Sequence, residues 1–325
     1  MRRAARALLA ALVGAVAVAG GTEIAAAERL SCGASRTWLV PFQTSPFPYD
    51  GVIPGKNIPF LDREEDGRRG HTSPRGGVYW EDPTYSDRRV LLSVPPGFDP
   101  ARPAVMVVYF HGNSALLDRD VCRKQHIPQQ VAASGLNAVL VAPQLARDAL
   151  DSSAGAFWQP NAFRRFLDEA GARLADLTGQ RGLRSLPVVV VAYSGGYLPA
   201  AYGLDVGGAA ERIRGILLMD ALYGEAERFA EVVAARRSAL FAVSAYSLSS
   251  KAQNAEFRRM LADRGVETGE GLPPSLRPGT VSFVPAPAAV SHGEFMTRAF
   301  AADPLRVLLG RIEGFAAPNR PAGPR

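Results

Sequence analysis

The sequence predicts an α/β fold with a mostly parallel central sheet and helices on both faces. Three observations carry this expectation. Short, nearly continuous apolar runs rich in Val and Leu recur at Val90 to Val94, Val105 to Phe110, Ala138 to Ala142, Val188 to Ala192, Ile216 to Met219, Leu240 to Val243 and Val281 to Val284. Runs of that kind suit strands covered on both faces. Helical patterns lie between them, the clearest at Phe163, Phe166, Leu167, Ala170, Leu174 and Leu177, whose spacing lays an apolar stripe along one face. Strand alternates with helix along this whole stretch, the order that parallel strands joined by crossover helices require. With 325 residues, 47% hydrophobic and 21% charged, the chain has the apolar content to bury a sizeable core.

The two ends read differently. Arg2, Arg3 and Arg6 precede the apolar run Ala7 to Ala19, and Ala25-Ala26-Ala27 supplies a small-residue exit. This is the pattern of a cleaved secretory signal peptide over residues 1–27, and the apolar run is too short to span a bilayer. The expected location is periplasmic or secreted. Arg29-Leu30-Ser31 before Cys32 lacks the leucine that a lipoprotein signal wants three positions upstream, so no stable membrane anchor is expected. Residues 28–325 read as a single domain, since no internal repeat or low-complexity linker divides them. Within them, residues 28–88, rich in Pro, Gly, Arg and Asp, read as an irregular N-terminal extension, and residues 317–325 as a flexible tail.

Charge and cysteine content narrow the partners. The formal net charge is +6, with three of the arginines in the N-terminal segment, and the remaining basic residues are scattered without interleaved aromatics. No nucleic-acid partner is expected from that pattern. Cys32 and Cys122 are the only cysteines. An exported chain with an even count can close a disulfide, and two separate buried thiols are the alternative. The stretch "LDREEDGRRGH", residues 61–71, lacks metal-ligand spacing and reads as a hydrated loop, and no metal or other cofactor is expected.

The stretch "VVVVAYSGGY", residues 188–197, carries the chemistry. A buried strand ends just before Ser194, and Gly195-Gly196-Tyr197-Leu198-Pro199 opens a helix whose first turn tolerates Pro199. Small residues at 192 and 196 let strand and helix approach closely, which pushes the hydroxyl out at the sheet's carboxyl edge, where ligands collect in such folds. This is the G-x-S-x-G nucleophile elbow with Ala192 in place of the first glycine. A serine that merely caps the helix is the alternative. Acyl transfer also needs two amides aimed at one oxygen. Gly195 supplies one, and the turn His111-Gly112-Asn113 after an earlier strand supplies the other through Asn113 or Ser114.

Ser194 needs a base, and the histidines are His71, His111, His126 and His292. His71 sits in the charged extension, His111 in the HG turn and His126 in a polar stretch. His292 follows the last strand, before a final helix, and reaches the same sheet edge. The base needs an orienting carboxylate. After Leu240 to Val243 no acid occurs until Glu256, whereas Asp220 stands at the very end of the preceding apolar run. An acid there is costly unless paired, so Asp220 is chosen, with a helix N-cap as its alternative role. Phe157 and Trp158, in an aromatic-rich stretch after the strand at 138–142, and Tyr193 beside the serine are candidate substrate contacts, with core packing the other reading for the aromatics.

With Ser194, Asp220 and His292 in that order, residues Arg89 to Phe315 resemble the α/β-hydrolase superfamily, in particular its exported bacterial esterase-like and lipase-like serine hydrolases. "PPGFDPARPAVMVVYFHGNSA" is similar to the first strands and oxyanion loop of such enzymes, "AYSGGY" to the elbow, and "SHGEF" to the histidine loop. The resemblance implies a hydrolase of carboxylic esters or related acyl bonds acting through an acyl-enzyme, on a small-molecule or polymer-derived acyl substrate; a peptidase, amidase or acyltransferase using the same triad, and a noncatalytic binding module on the same scaffold, are the alternatives. The sequence departs from that pattern at Ala192, and in placing its acid one strand earlier than most of the superfamily.

Overall fold

The computed structural model describes residues 27–318. The expected signal segment, save Ala27, and the tail from position 319 onward lie outside the described residues. A ten-stranded sheet forms the centre: β1 (Glu28–Cys32), β2 (Ser35–Pro41), β3 (Arg89–Val94), β4 (Val105–Phe110), β5 (Ala138–Pro143), β6 (Val188–Tyr193), β7 (Ile213–Met219), β8 (Phe241–Tyr246), β9 (Gly269–Glu270) and β10 (Val281–Pro285). Their order across the sheet is β1-β2-β3-β5-β4-β6-β7-β8-β10-β9. The pairs β1–β2, β2–β3 and β3–β5 are antiparallel, and every pairing from β5–β4 to the far edge is parallel.

Every residue of β4, β5 and β6 is buried, which explains why their sequences are continuous apolar runs with no polar alternation. Successive side chains go to opposite faces and join different cores. Met106, Val108, Phe110, Val188, Val190 and Ala192 pack on one face, and Val105, Val107, Tyr109, Val189, Val191 and Tyr193 on the other.

Helices cover both faces. Those after β5, β6, β7 and β8, namely α2 (Ala162–Thr178), α3 (Tyr197–Asp205), α4 (Ala226–Ala235) and α5 (Lys251–Asp263), bring Phe163, Phe166, Leu204, Phe229 and Phe257 to the first core. The second core is closed by α1 (Ile127–Ala133), α6 (Phe295–Arg298) and α7 (Pro304–Leu309), through Ile127, Val131, Phe295 and Leu308.

The reading of residues 28–88 as irregular needs correction. The segment contributes β1 and β2 to the sheet edge, with Trp38, Leu39 and Val40 buried against β3. It also forms a two-stranded hairpin of Val52–Ile53 with Ile58–Pro59, and a three-stranded sheet of Arg63–Glu65, Arg68–Thr72 and Val78–Trp80. The "hydrated loop" at 61–71 is thus part of a hairpin, and His71 within it is buried and stacked on Phe60. Abundant turn residues between these short strands give the segment its irregular composition. At the other end, the Ala317 amide donates to the Gly135 carbonyl, so the expected tail is held at its first residue.

Cys32, at the end of β1, and Cys122, in the helical segment Leu117–Lys124, are joined in a disulfide across 90 residues of sequence, with their Cα atoms 5.4 Å apart. Both are buried beside Leu39, Leu91 and Val121. The bond ties the edge hairpin to the body of the sheet. A closed loop of this length removes chain entropy worth about 4.6 kcal/mol from the unfolded state. Cys32→Ser, or reduction of the wild type, should therefore lower the unfolding free energy by about 2–5 kcal/mol, read as a shift in urea midpoint with and without reductant. An unchanged midpoint would contradict a stabilising role for the bond.

Candidate active site

At the carboxyl end of β6 the chain turns within three residues, Ser194–Gly196, and runs directly into α3. The turn is tight enough to hold Ser194 at φ +52°, in the left-handed region. Three glycines make it sterically feasible. A Cβ on Gly196 would lie 2.3 Å from the Phe110 carbonyl oxygen, and one on Gly112 would lie 2.8 Å from Ser194 Cβ. A Cβ on Gly195 would fall 1.9 Å from the Asn113 side-chain oxygen. The elbow and the loop after β4 thus approach more closely than a Cβ at any of the three positions would allow.

His292 begins the helical turn after β10, fixed by a capping box between Ser291 and Glu294. Its Nε2 lies 2.8 Å from Ser194 Oγ and its Nδ1 2.7 Å from Asp220 Oδ2. The Tyr193 hydroxyl donates to the His292 carbonyl at 2.7 Å, and its ring stacks on the imidazole at 5.2 Å. Tyr223 meets the same ring edge-on.

Asp220 follows β7 at φ +46°, and its amide donates to the Ala245 carbonyl of β8. The carboxylate is 0% exposed. Oδ1 accepts from the Ser247 amide at 3.0 Å and the Ser250 hydroxyl at 2.5 Å, and Oδ2 from the Ser247 hydroxyl at 2.7 Å. Burial pushes this carboxyl upward, but hydrogen bonds from His292, Ser250 and Ser247 outweigh it and hold Asp220 at about 2. The N-cap alternative does not apply, because α4 begins at Ala226 with Glu225 at its cap.

The loop after β4 is set by His111. The imidazole is fully buried, and burial pushes it down to about 4, so it is neutral near pH 7. Nε2 accepts from the Leu145 amide at 2.9 Å and faces Gln144 Nε2 at 3.0 Å, which leaves the proton on Nδ1 to donate to the Gly112 carbonyl at 2.7 Å. In a trans peptide the next N–H points the opposite way, so this bond turns the Asn113 amide away from His111. The Ser114 amide is already taken by the Ala149 carbonyl at 2.8 Å, which leaves Asn113 as the candidate donor of the two. Gly195, in the first turn of a helix, has an amide without an intrahelical acceptor.

The structure brings together Ser194, His292, Asp220, Gly112, Asn113 and Gly195. Two aromatic candidates are corrected. Phe157 is fully buried among Phe110, Phe163 and Phe166 and touches no cleft, because its turn inserts it into the first core. Tyr193 holds His292, as described, through its hydroxyl and ring. Trp158 does line a cleft of about 220 Å³ beside the elbow, together with Ser152, Tyr197 and Arg75. Ser247, Ser249, Ser250 and Tyr223 emerge only from the structure. Their signal in sequence is the serine-rich "YSLSSK" directly after β8, hydroxyl donors at the strand end next to the acid.

The sheet order, with a serine turn after its central parallel strand and helices on both faces, is the α/β-hydrolase fold. No protein-family model and no curated protein matches the chain. Among solved structures it is similar to the feruloyl esterase module from Clostridium thermocellum, at 12% identity and a TM-score of 0.46 over 82% of this chain and 95% of that one. It is also similar to an S-formylglutathione hydrolase from Agrobacterium tumefaciens, at 10% identity and a TM-score of 0.43 over 83% and 94%. A thermophilic esterase from Thermogutta terrifontis matches at 12% identity and a TM-score of 0.39 over 64% and 80%. These likenesses carry no chemistry to this chain.

The depressed Asp220 carboxyl has a consequence for acid stability. Its folded value of about 2 lies below the ~3.9 of an unfolded Asp, so its ionised form contributes stability that is full above pH ~4 and lost as pH falls toward 2. Ser250→Ala removes a donor to this buried charge and should cost about 1.5–3 kcal/mol near neutrality. The same substitution should raise the Asp220 carboxyl and move the acid-unfolding midpoint to higher pH. Circular dichroism across a pH series would check both, and an unmoved acid midpoint would count against the serine cage.

Proposed function

We propose that the chain is a serine hydrolase that cleaves carboxylic esters through an acyl-enzyme. The observation that carries this reading is the unbroken hydrogen-bond chain Ser194 Oγ, His292 Nε2, His292 Nδ1, Asp220 Oδ2 at the carboxyl edge of the sheet. Neutral His292, with Nδ1–H directed at Asp220, accepts the Ser194 proton on Nε2 as Oγ attacks the ester carbonyl. The Asn113 and Gly195 amides stabilise the resulting oxyanion. Collapse expels the alcohol, which takes the proton from His292. Water then enters by the same route and releases the acid.

Asp220 remains ionised throughout and stabilises the imidazolium. A carboxyl held at about 2 suits that role, because it does not compete for the proton in transit. The positive φ of Ser194 and the three close-packed glycines keep the nucleophile and the oxyanion donors in fixed register, so little reorganisation is needed at the transition state.

We further infer that the chain is exported as a mature protein beginning near Glu28. The basic, apolar, small-residue pattern of residues 1–27 supports this, as does the Cys32–Cys122 bond, which persists in an oxidising compartment. Among the described residues no helix is long and apolar enough to cross a membrane. The substrate class proposed is a small-molecule or polymer-derived acyl ester.

A fluorophosphonate probe should label Ser194 of the folded protein and fail to label Ser194→Ala. Labelling that survives that substitution would sink the proposal. In a panel of ester, amide and lactone substrates, Asp220→Asn should lower kcat by roughly 10⁴-fold while the protein stays folded, since the amide favours the wrong imidazole tautomer. Near wild-type turnover in Asp220→Asn would move the acid elsewhere.

A further inference from the structure

A cleft adjoins the elbow through Ser152, whose hydroxyl a Cβ on Gly195 would meet at 2.8 Å, and is walled by Trp158 and the α3 residues Tyr197 and Tyr202 on one side and by the segment preceding β3 on the other. That segment brings two cations to it, Lys56 and Arg75. Neither has a carboxylate within ion-pair distance among the described residues, whereas the acids of the same wall are committed. Glu225 is paired with Arg228 at 2.7 Å. Asp151 accepts the Tyr85 hydroxyl at 2.9 Å and the Ser153 hydroxyl at 3.0 Å. Lys56 and Arg75 therefore line the cleft without a carboxylate paired to either, alongside the hydroxyl-bonded Asp151 carboxylate.

Arg75 is held there by its backbone. It lies in a turn closed by the Ser73 amide on the Gly77 carbonyl at 3.0 Å and by the Gly76 amide on the Ser73 carbonyl at 2.9 Å. The Ser73 hydroxyl donates to the Leu150 carbonyl at 2.7 Å, and the Leu150 amide donates to the Tyr79 hydroxyl at 3.1 Å. These bonds fasten the turn to the loop that carries Asp151 and Ser152. With the Asn113 amide oriented to donate to the Asp151 carbonyl at 2.8 Å, its oxygen lies 3.2 Å from Arg75 Nη1. Burial raises the phenols of Tyr197 and Tyr223, and the charge of Arg75 offsets part of that rise in each. The guanidinium is thus close to the oxyanion loop, through Asn113, and shares the cleft with Tyr197 of the helix after Ser194. One of its donors is engaged by Asn113, which leaves others for a ligand.

We propose that Arg75, with Lys56 at the rim of the cleft, is the specificity determinant of this site and selects ester substrates that carry a carboxylate beside the scissile bond. The planar guanidinium suits a carboxylate in two parallel hydrogen bonds, and the lysine adds a point charge. The aromatic wall across the cleft accommodates the intervening chain. The inference rests on the serine-hydrolase reading above and names its substrate class.

The test compares kcat/KM for two aryl esters with the same leaving group, a hemisuccinate and a neutral butyrate. A second pair places the carboxylate on the leaving group instead, so the pair that shows the preference tells which side of the ester Arg75 reads. In the wild type the anionic ester should be preferred in one pair. The anionic-to-neutral ratio should fall about tenfold or more in Arg75→Ala, survive in part in Arg75→Lys and invert in Arg75→Glu. A ratio that Arg75→Ala leaves unchanged, whether both rates fall together or neither does, overturns the proposal. The first of those outcomes would make Arg75 only a support for Asn113. Binding separates the two readings. Calorimetric titration of Ser194→Ala protein with the anionic ester of each pair should show, for one of the two, affinity that Arg75→Ala abolishes. If no ester turns over while this Arg75-dependent binding persists, the hydrolase reading fails and the carboxylate site stands. If binding ignores Arg75, the carboxylate site fails whatever the turnover.

Discussion

Burying the Asp220 carboxylate at the end of β7 would cost several kcal/mol if it were left unpaired, and the surrounding structure is arranged to meet that cost. Four groups donate short bonds to its two oxygens: the Ser247 amide, the Ser247 and Ser250 hydroxyls, and His292. Each donor comes from an element placed by the sheet. The serines follow β8, whose last residues pair with the end of β7, and His292 follows β10 on the far side of β8. Strand order and register are therefore what bring the donors to the acid. A slip of one residue in β7 or β8 would turn the carboxylate or its cage to the wrong face.

The same neighbour relation explains an acid on β7 where most chains resembling this one carry it after the next strand. Parallel strands end side by side, and the Asp220 amide bonds to Ala245 as though β7 continued, so the carboxylate hangs over the end of β8. That strand end needs no acid of its own. It carries hydroxyl donors instead. The two positive-φ residues Ser194 and Asp220 share this logic, since both lie just past a buried strand, and the turn that carries the chain off the sheet aims the side chain into the site.

How much of this was legible in sequence follows from how local each signal is. The apolar runs of β4, β5 and β6 and the stripe of α2 are local patterns set by burial, and all are present as elements. Ser194, His292 and Asp220 could be singled out because each stands at the end of such a run, or just beyond it. The roles of Phe157 and Tyr193 were not legible, since a side chain's destination on the inner or outer side of a turn depends on packing that no spacing encodes. Nor was β2, because Trp38-Leu39-Val40 lies within a stretch whose average composition is polar and turn-rich. The serine cage and His111's hold on Gly112 are long-range or conformational facts: the serine-rich "YSLSSK" marks hydroxyl donors after β8, but nothing local says that they close on Asp220.

The segment that composition marks as an appendage joins two separate parts of the molecule. It begins as the edge hairpin, pinned at Cys32 to the helical segment that follows the loop after β4, and it ends in β3 beside β5. Between those fixed points it has to travel past the carboxyl edge of the sheet. The aromatic cluster of Phe47, Phe60, Tyr85 and His71 packs it down there, with His71 Nδ1 donating to the Phe60 carbonyl at 2.7 Å. Both ends are anchored, and Phe47, Phe60 and Tyr85 in the middle join the first core, which fixes the segment bearing Arg75 against the body of the fold. The central strands and their turns thus set the geometry around the serine, while the wall of the cleft is drawn in part from the segment preceding β3. Changes in the 52–80 region could then alter what the cleft accepts without disturbing the strand ends that hold Ser194, His292 and Asp220.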